Sequence, residues 1–273
     1  MNILRTSLAG LLLIGLACLC LPTASFADMP PSATESPEIH WSYQSETGPD
    51  FWAELDAGFA TCSSGLAQSP IDLTGAEDAD LLNPEFHYQP APLNILNNGH
   101  TVQVPYAPGS YVVIDGNRYD LLQFHFHSPS AHASAGKSER AELHLVHQNE
   151  AGELAVVAVL LHPDDKSANT AYQPIAQNLP LKAGDKIRTG STIDAAALLP
   201  ANTKTYRYSG SLTTPPCSEA VTWLVMSEPV SLSTEQLTQY EKRLNHNNRP
   251  LQFKNKRSIQ LDTSFYSNLD ALS

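Results

Sequence analysis

The chain is short of cysteine, of cations and of long apolar runs, and each shortage removes a class of protein. Lys and Arg number 16 against 28 Asp and Glu among 273 residues. That acidic balance argues against nucleic acid and anionic membrane surfaces as partners. The one long apolar stretch, Leu8 to Leu21, is shorter than the roughly 20 residues a spanning helix needs, and Pro22 interrupts it. No stable membrane association is therefore expected. Four cysteines are present, and Cys18 and Cys20 lie inside that N-terminal stretch. This leaves Cys62 and Cys217, a single pair that suggests one disulfide in an oxidising compartment, with two unrelated buried thiols as the alternative. No internal repeat or helical-array period is visible.

What is present begins with a leader. Arg5, the apolar stretch and the small-residue pattern Ser25-Phe26-Ala27 together read as a cleaved secretory signal over Met1 to Ala27, so the protein is expected in the periplasm or secreted. A membrane anchor is one alternative and a lipid anchor on Cys18 or Cys20 another. Asp28 to Glu38, rich in Pro, Ser and Thr, reads as a flexible leader. The remainder, Ile39 to Ser273, fits one large domain.

Turn signals recur along that domain at short intervals: Asn97-Asn98-Gly99, Pro108-Gly109, Asp115-Gly116, Ala151-Gly152 and Lys182 to Asp185. Between them lie short apolar or alternating runs, the pattern of a sheet-dominated fold. Helical candidates are few: Phe51 to Phe59, Asn169 to Gln177, and Ser233 to Asn245, where Ser233 and Gln236 can form a capping box. Strands are expected at Tyr119 to His127, Ala141 to His147, Leu154 to Leu161 and Glu219 to Ser227. The last two are apolar almost throughout, so both should be central and covered on both faces.

Side chains alternate along a strand, so Gln123, His125 and His127 share one face while Leu122, Phe124 and Phe126 take the other. The two imidazoles then project side by side, about 6.6 Å apart at their Cα atoms. In the next strand Glu142, His144 and Val146 share a face, and a neighbouring register would bring His144 to the same point. Three neutral imidazoles with one open position form the donor set of a catalytic zinc, whereas a structural zinc needs a fourth protein ligand. Gln123 and Glu142 each lie two residues before a histidine, where each can accept a ring N–H. One zinc ion per chain, on His125, His127 and His144, is the expectation.

The segment Gln123-Phe124-His125-Phe126-His127, with Ala141 to His147 behind it, resembles the zinc-binding core of the α-type carbonic anhydrases. The likeness extends in order through His40 to Tyr43, Gln68 to Ile71, Leu96 to His100, Tyr208 to Pro216 and Asn248 to Gln252. For the fold it implies a mainly β (α+β) domain. Its centre would be a large, mostly antiparallel twisted sheet of about ten strands with a few peripheral helices. For activity it implies zinc-dependent, reversible hydration of carbon dioxide to bicarbonate and a proton, by way of a hydroxide that zinc makes available near neutral pH.

The resemblance also assigns roles. His100 matches the proton shuttle, with Tyr43, Asn98 and Gln103 ordering water beside it; read without the family, His100 is an exposed loop histidine. Thr213 matches the residue that orients the attacking oxygen, and Thr214 lies by the bicarbonate. Val146, Val156, Leu212, Val221 and Trp223 match the apolar wall that receives carbon dioxide. His132, Tyr208 and Glu142 match a supporting network, His147 a structural position, and Cys62–Cys217 the disulfide of exported members. One position departs: Ser128-Pro129-Ser130-Ala131-His132 carries alanine where the family has a buried glutamate that accepts the threonine proton. Glu139 is a distant substitute. The resemblance therefore leaves two function classes, a working enzyme and a zinc-loaded binding protein of weak or no activity. Oligomeric state is not legible in the sequence.

Overall fold

Side-chain alternation and runs of Val, Leu and Phe build, among the described residues, one large extended sheet whose two faces are both covered, beside a separate two-stranded sheet of Ala133–Ser134 and Lys137–Ser138. The structure, a computed structural model, describes residues 39–165 and 168–264. The expected signal and leader, and with them Cys18 and Cys20, lie outside the described residues. Ten strands form one continuous path: β1 (Glu77–Ala79), β2 (Ala91–Asn97), β3 (Val102–Pro105), β4 (Asn117–His127), β5 (Ala141–Gln148), β6 (Leu154–Pro163), β7 (Lys186–Ile193), β8 (Thr205–Ser211), β9 (Glu219–Met226) and β10 (Gln260–Asp262). Their spatial order is β1-β10-β8-β9-β6-β5-β4-β3-β2-β7, and three shorter strands branch from the path. Neighbours on the path are antiparallel except β1 with β10 and β6 with β9. As the apolar runs require, β6 and β9 lie side by side in the middle.

The expected helices form only in part. Phe51 to Phe59 is broken at Asp56 into α1 (Trp52–Leu55) and a 3₁₀ turn, because the Asp56 carboxylate caps the turn by accepting from Gly58 N. Thr61–Ser64 makes α2, and Asn169 to Gln177 shrinks to α3 (Gln173–Ala176). Among the described residues only α4 (Thr234–Leu244) is long, and it starts at the capping box: Ser233 Oγ accepts from Gln236 N, and Gln236 Oε1 accepts from Ser233 N at 3.1 Å. It ends at Asn245, whose φ of 51° is the left-handed conformation of a helix stop.

One face of the sheet buries Phe124, Phe126, Leu143, Leu145, Val157 and Val159 under Leu237, Tyr240 and Leu244 of α4. Burial of each such side chain contributes about 1.5–3 kcal/mol. Simple alternation fails at Leu122, expected on this face with Phe124 and Phe126. The register shifts between Leu121 and Gln123, so Leu121 joins the core while Leu122 is 44% exposed. A bulge of one residue reverses the facing upstream of it and leaves the histidine register intact. The other face carries the histidines and a second apolar cluster around Val156, Val221 and Trp223.

Cys62 and Cys217 are bonded, closing a span of 155 residues beside Trp52. A loop of that length corresponds to about 5 kcal/mol in the chain-entropy account. Arg249 clamps the same corner, donating to Cys62 O, Ser69 O and Gln68 Oε1. Burial there lowers its pKa to about 10.

His147 lies on the α4 face, fully buried, with Nε2 sharing a hydrogen bond of 2.8 Å with the Tyr88 hydroxyl. Burial pushes its pKa down to about 4. The unfolded chain therefore binds the proton more readily. The stability associated with a neutral His147 is complete above about pH 6.5 and declines as pH falls toward 4. The loss reaches about 3 kcal/mol. In urea unfolding of metal-free protein between pH 7.5 and 4, His147→Gln should flatten this decline; parallel curves for variant and parent would refute the assignment.

Candidate metal centre

The β4–β5 register sets His125 directly opposite His144, and His127 opposite Glu142. His125, His127 and His144 accordingly bring one nitrogen each within 4.8 Å of the others. Their outward nitrogens are all engaged. His125 Nδ1 lies 3.0 Å from Gln123 Oε1, His127 Nδ1 2.7 Å from the Asn247 carbonyl oxygen, and His144 Nε2 2.8 Å from Glu142 Oε1. Each partner is an acceptor, so each outward nitrogen carries the proton and each inward nitrogen, Nε2, Nε2 and Nδ1, presents a lone pair.

This arrangement is a test of metal fit. His125 Nε2 and His127 Nε2 stand 3.1 Å apart. Two lone pairs at that distance repel unless a cation lies between them. Tetrahedral bonds of 2.0–2.1 Å to zinc separate ligand nitrogens by about 3.3 Å. Burial, reinforced by the neighbouring imidazoles, lowers His127 to about 3 and holds His125 well below its ordinary range. His144 is likewise lowered by burial, against the opposing pull of Glu142. The rings are thus held neutral, the form in which imidazole binds a metal. The residues present fit zinc, with three ligands and an open fourth position.

Behind the ligands sits a buried carboxylate. Glu142, fully enclosed, accepts from His132 N at 2.7 Å, from His132 Nδ1 at 2.6 Å and from His144 Nε2. Burial acts to raise its pKa, but His132, His144 and their hydrogen bonds outweigh it and hold the group well below the carboxylate range. His132 Nε2 then accepts from Tyr208, whose oxygen is 2.9 Å from Ser69 Oγ. Ser69 Oγ in turn accepts from Ser211 N. A wire of hydrogen bonds therefore joins a ligand on β5 to the start of the Leu212–Cys217 loop. Gly210 lets this wire close, since a Cβ there would overlap Ser69 Oγ.

Val146, Val156, Trp223 and Tyr208 follow one another across β5, β6, β9 and β8 in a single row of the sheet. Val156, Val221 and Trp223 are buried together, with Val146 and Leu212 packed against them. The Trp223 ring lies 4.9 Å from His144, and its Nε1 donates to Ser211 O at 3.0 Å. Thr213, 7% exposed, and half-buried Thr214 follow in the loop tied down by Cys217. Among the described residues the Thr213 hydroxyl has no hydrogen-bond partner. Ala131 is buried at 2%, and the carboxylate of Glu139 points instead to His162 Nδ1 at 2.9 Å, so Glu139 is not a substitute acceptor.

The His100 ring stacks on Trp41 at 3.7 Å and 4°. Tyr43 makes an edge contact with the same indole at 5.4 Å, and burial raises its phenol well above the usual value. Asn98 Nδ2 donates to Gln103 Oε1 at 3.2 Å and Asn98 Oδ1 accepts from His100 N. Two residues escaped the sequence reading. Asn247 serves the site through a backbone carbonyl, which has no residue signature, and its side chain donates to His100 O and Phe126 O. Ser69 is legible only as part of the Gln68-Ser69-Pro70-Ile71 match.

Fold and site together define a metal-binding β-sheet protein with a three-imidazole centre beside an apolar wall. The family model for the eukaryotic-type carbonic anhydrases matches residues 47–263. A carbonic anhydrase of Nostoc sp. is 40% identical over 86% of this chain and 90% of its own length. One from Klebsiella pneumoniae is 37% identical over 94% and 99%. The structure of the α-carbonic anhydrase of Thermovibrio ammonificans in complex with the inhibitor sulfanilamide superposes with a TM-score of 0.79. It has 40% identity and covers 81% of this chain and 99% of that one. The chain belongs to the α-class, or eukaryotic-type, carbonic anhydrase family.

Because Glu142 orients His144 and anchors His132, Glu142→Ala should weaken zinc affinity by about 10–100-fold in competition with a chromophoric chelator. An unchanged affinity would show that the network is not needed to hold the ligand.

Proposed function

We propose that this protein catalyses the reversible hydration of carbon dioxide to bicarbonate and a proton, with one zinc ion per chain on His125, His127 and His144. The observation that carries the reading is the convergence of three imidazole lone pairs whose opposite nitrogens are all engaged. Zinc bound there supplies a Lewis acid that makes water a nucleophile near neutral pH. Gln123, Glu142 and the Asn247 carbonyl keep the rings in the binding tautomer. The wall of Val146, Val156, Leu212, Val221 and Trp223 receives carbon dioxide, which is small, apolar and without hydrogen-bond donors, while Thr214 lies by the charged product. Thr213 orients the attacking oxygen through its hydroxyl. His100 takes the released proton to solvent, with Tyr43, Asn98 and Gln103 ordering the intervening water. The disulfide and the bacterial relatives support an extracytoplasmic protein. The finer reading, cleavage after Ala27 and release to the periplasm or medium, is checked by the mass of the exported form.

Ala131 favours the second reading, a zinc-loaded protein with a slowed reaction. A hydroxyl with a fixed acceptor can donate in one direction only, so its oxygen is presented to the nucleophile in one way. Thr213 lacks that acceptor, and loss of such a positioned partner costs about 10²–10³ in rate. The reading of the chain as an enzyme stands on the retained ligands, wall and His100.

A double-mutant cycle in stopped-flow hydration of carbon dioxide separates the two readings. Thr213→Ala should cost less than about tenfold in the native background and about 10²–10³ in the Ala131→Glu background. Equal costs would mean Ala131 does not weaken Thr213. In the same assay His100→Ala should slow turnover in dilute buffer, with added imidazole restoring it; a loss that imidazole leaves untouched would remove His100 from the proton path.

A further inference from the structure

A recess of about 340 Å³ opens beside His100, apart from the three-histidine centre. Its lining includes Arg243, His40 and His100 and contains no aspartate or glutamate, in a chain where acids outnumber bases 28 to 16. Arg243, in the last turn of α4, has a buried Nε with no hydrogen-bond partner. Its guanidinium makes no hydrogen bond or ion pair with any described residue.

Among the other described arginines, only exposed Arg188 likewise makes no hydrogen bond or ion pair. Arg140 pairs with Glu241 and Arg207 with Asp115, while Arg249 and Arg257 donate to backbone carbonyls. Proximity to the negative end of α4 favours the charge of Arg243; its Nε is enclosed, and its two terminal nitrogens are the donors left to meet a ligand. A guanidinium edge presents parallel N–H groups that match two oxygens of one planar anion. The coplanar Trp41–His100 stack supplies a flat wall nearby. Asn247 is part of the same lining, and it spans from the His100 carbonyl to His127.

We propose that this recess binds a small planar oxyanion of the carboxylate type, seated on Arg243 and distinct from the metal centre. Bicarbonate and free organic carboxylates share that chemistry. The proposal stands independently of carbon dioxide hydration, and its test uses no activity.

The test is a titration of zinc-loaded protein, labelled at arginine and histidine, with bicarbonate and separately with acetate, followed by NMR at fixed pH. Chloride at equal ionic strength is the control. Saturable shifts of Arg243 Nε–H and the His100 ring are expected, and they should persist when a chelator has removed the metal. Arg243→Gln should weaken the response at His100 at least about tenfold, with Arg243→Lys intermediate. A response to both anions identifies a general carboxylate site, and a response to bicarbonate alone a product site; either supports the proposal. Three results overturn it: no saturable shift at Arg243, the same shift with chloride, or loss of the shift with the metal. An Arg243→Gln protein that keeps the full His100 response does so as well. Should that variant not fold, the Arg243 Nε–H response of the parent against chloride decides alone.

Discussion

A carboxylate without access to water stays charged only if every oxygen is met by donors, and Glu142 imposes that condition on the centre of the molecule. One oxygen receives two imidazole N–H groups and the other a backbone amide. To satisfy it, β5 must hold His144 in one tautomer, the Ser128–His132 turn must fold back under the sheet, and Tyr208 must complete the far side of His132. The charge so maintained makes the His144 ring a better donor to a cation. Stability and metal affinity are therefore two readouts of one buried ion, and they are coupled through the same three hydrogen bonds.

The parts of this arrangement that follow a period were legible in the sequence. Alternation put Gln123, His125 and His127 on one face, and apolar continuity placed β6 and β9 in the middle of the sheet. Ser233 and Gln236 marked the start of α4 because a capping box is a local device with a fixed spacing. What could not be read was whatever depends on backbone atoms or on distant chain. The bulge at Leu122 changes which residues face the core without changing composition. The Asn247 carbonyl that fixes His127 could belong to any residue type. Asp56 ended a helix that periodicity continues, because a local carboxylate offered the backbone a better partner.

Holding an ion and presenting a nucleophile are assigned to different pieces of this fold. Ligands and their immediate partners lie on β4 and β5, locked by register. Thr213 lies on a loop beyond β8, held by Ser69, Ser211 and the disulfide, and the ligands reach it only through the Glu142–His132–Tyr208 wire. A change at position 131 can therefore alter the second task while the first is untouched, since Ser130 and His132 on either side keep their own hydrogen bonds. Family membership accordingly speaks with more force about the metal than about turnover.

The Cys62–Cys217 bond has a topological consequence. All three ligands, Gln123, Glu142, Ala131, His132, Tyr208 and Thr213 lie between the two cysteines, inside one covalent ring. A single break in the main chain at any exposed loop of that ring opens it to a linear form but releases no part of the centre. For a protein outside the cytoplasm, where proteases are met and repair is not, the ring makes a first nick survivable.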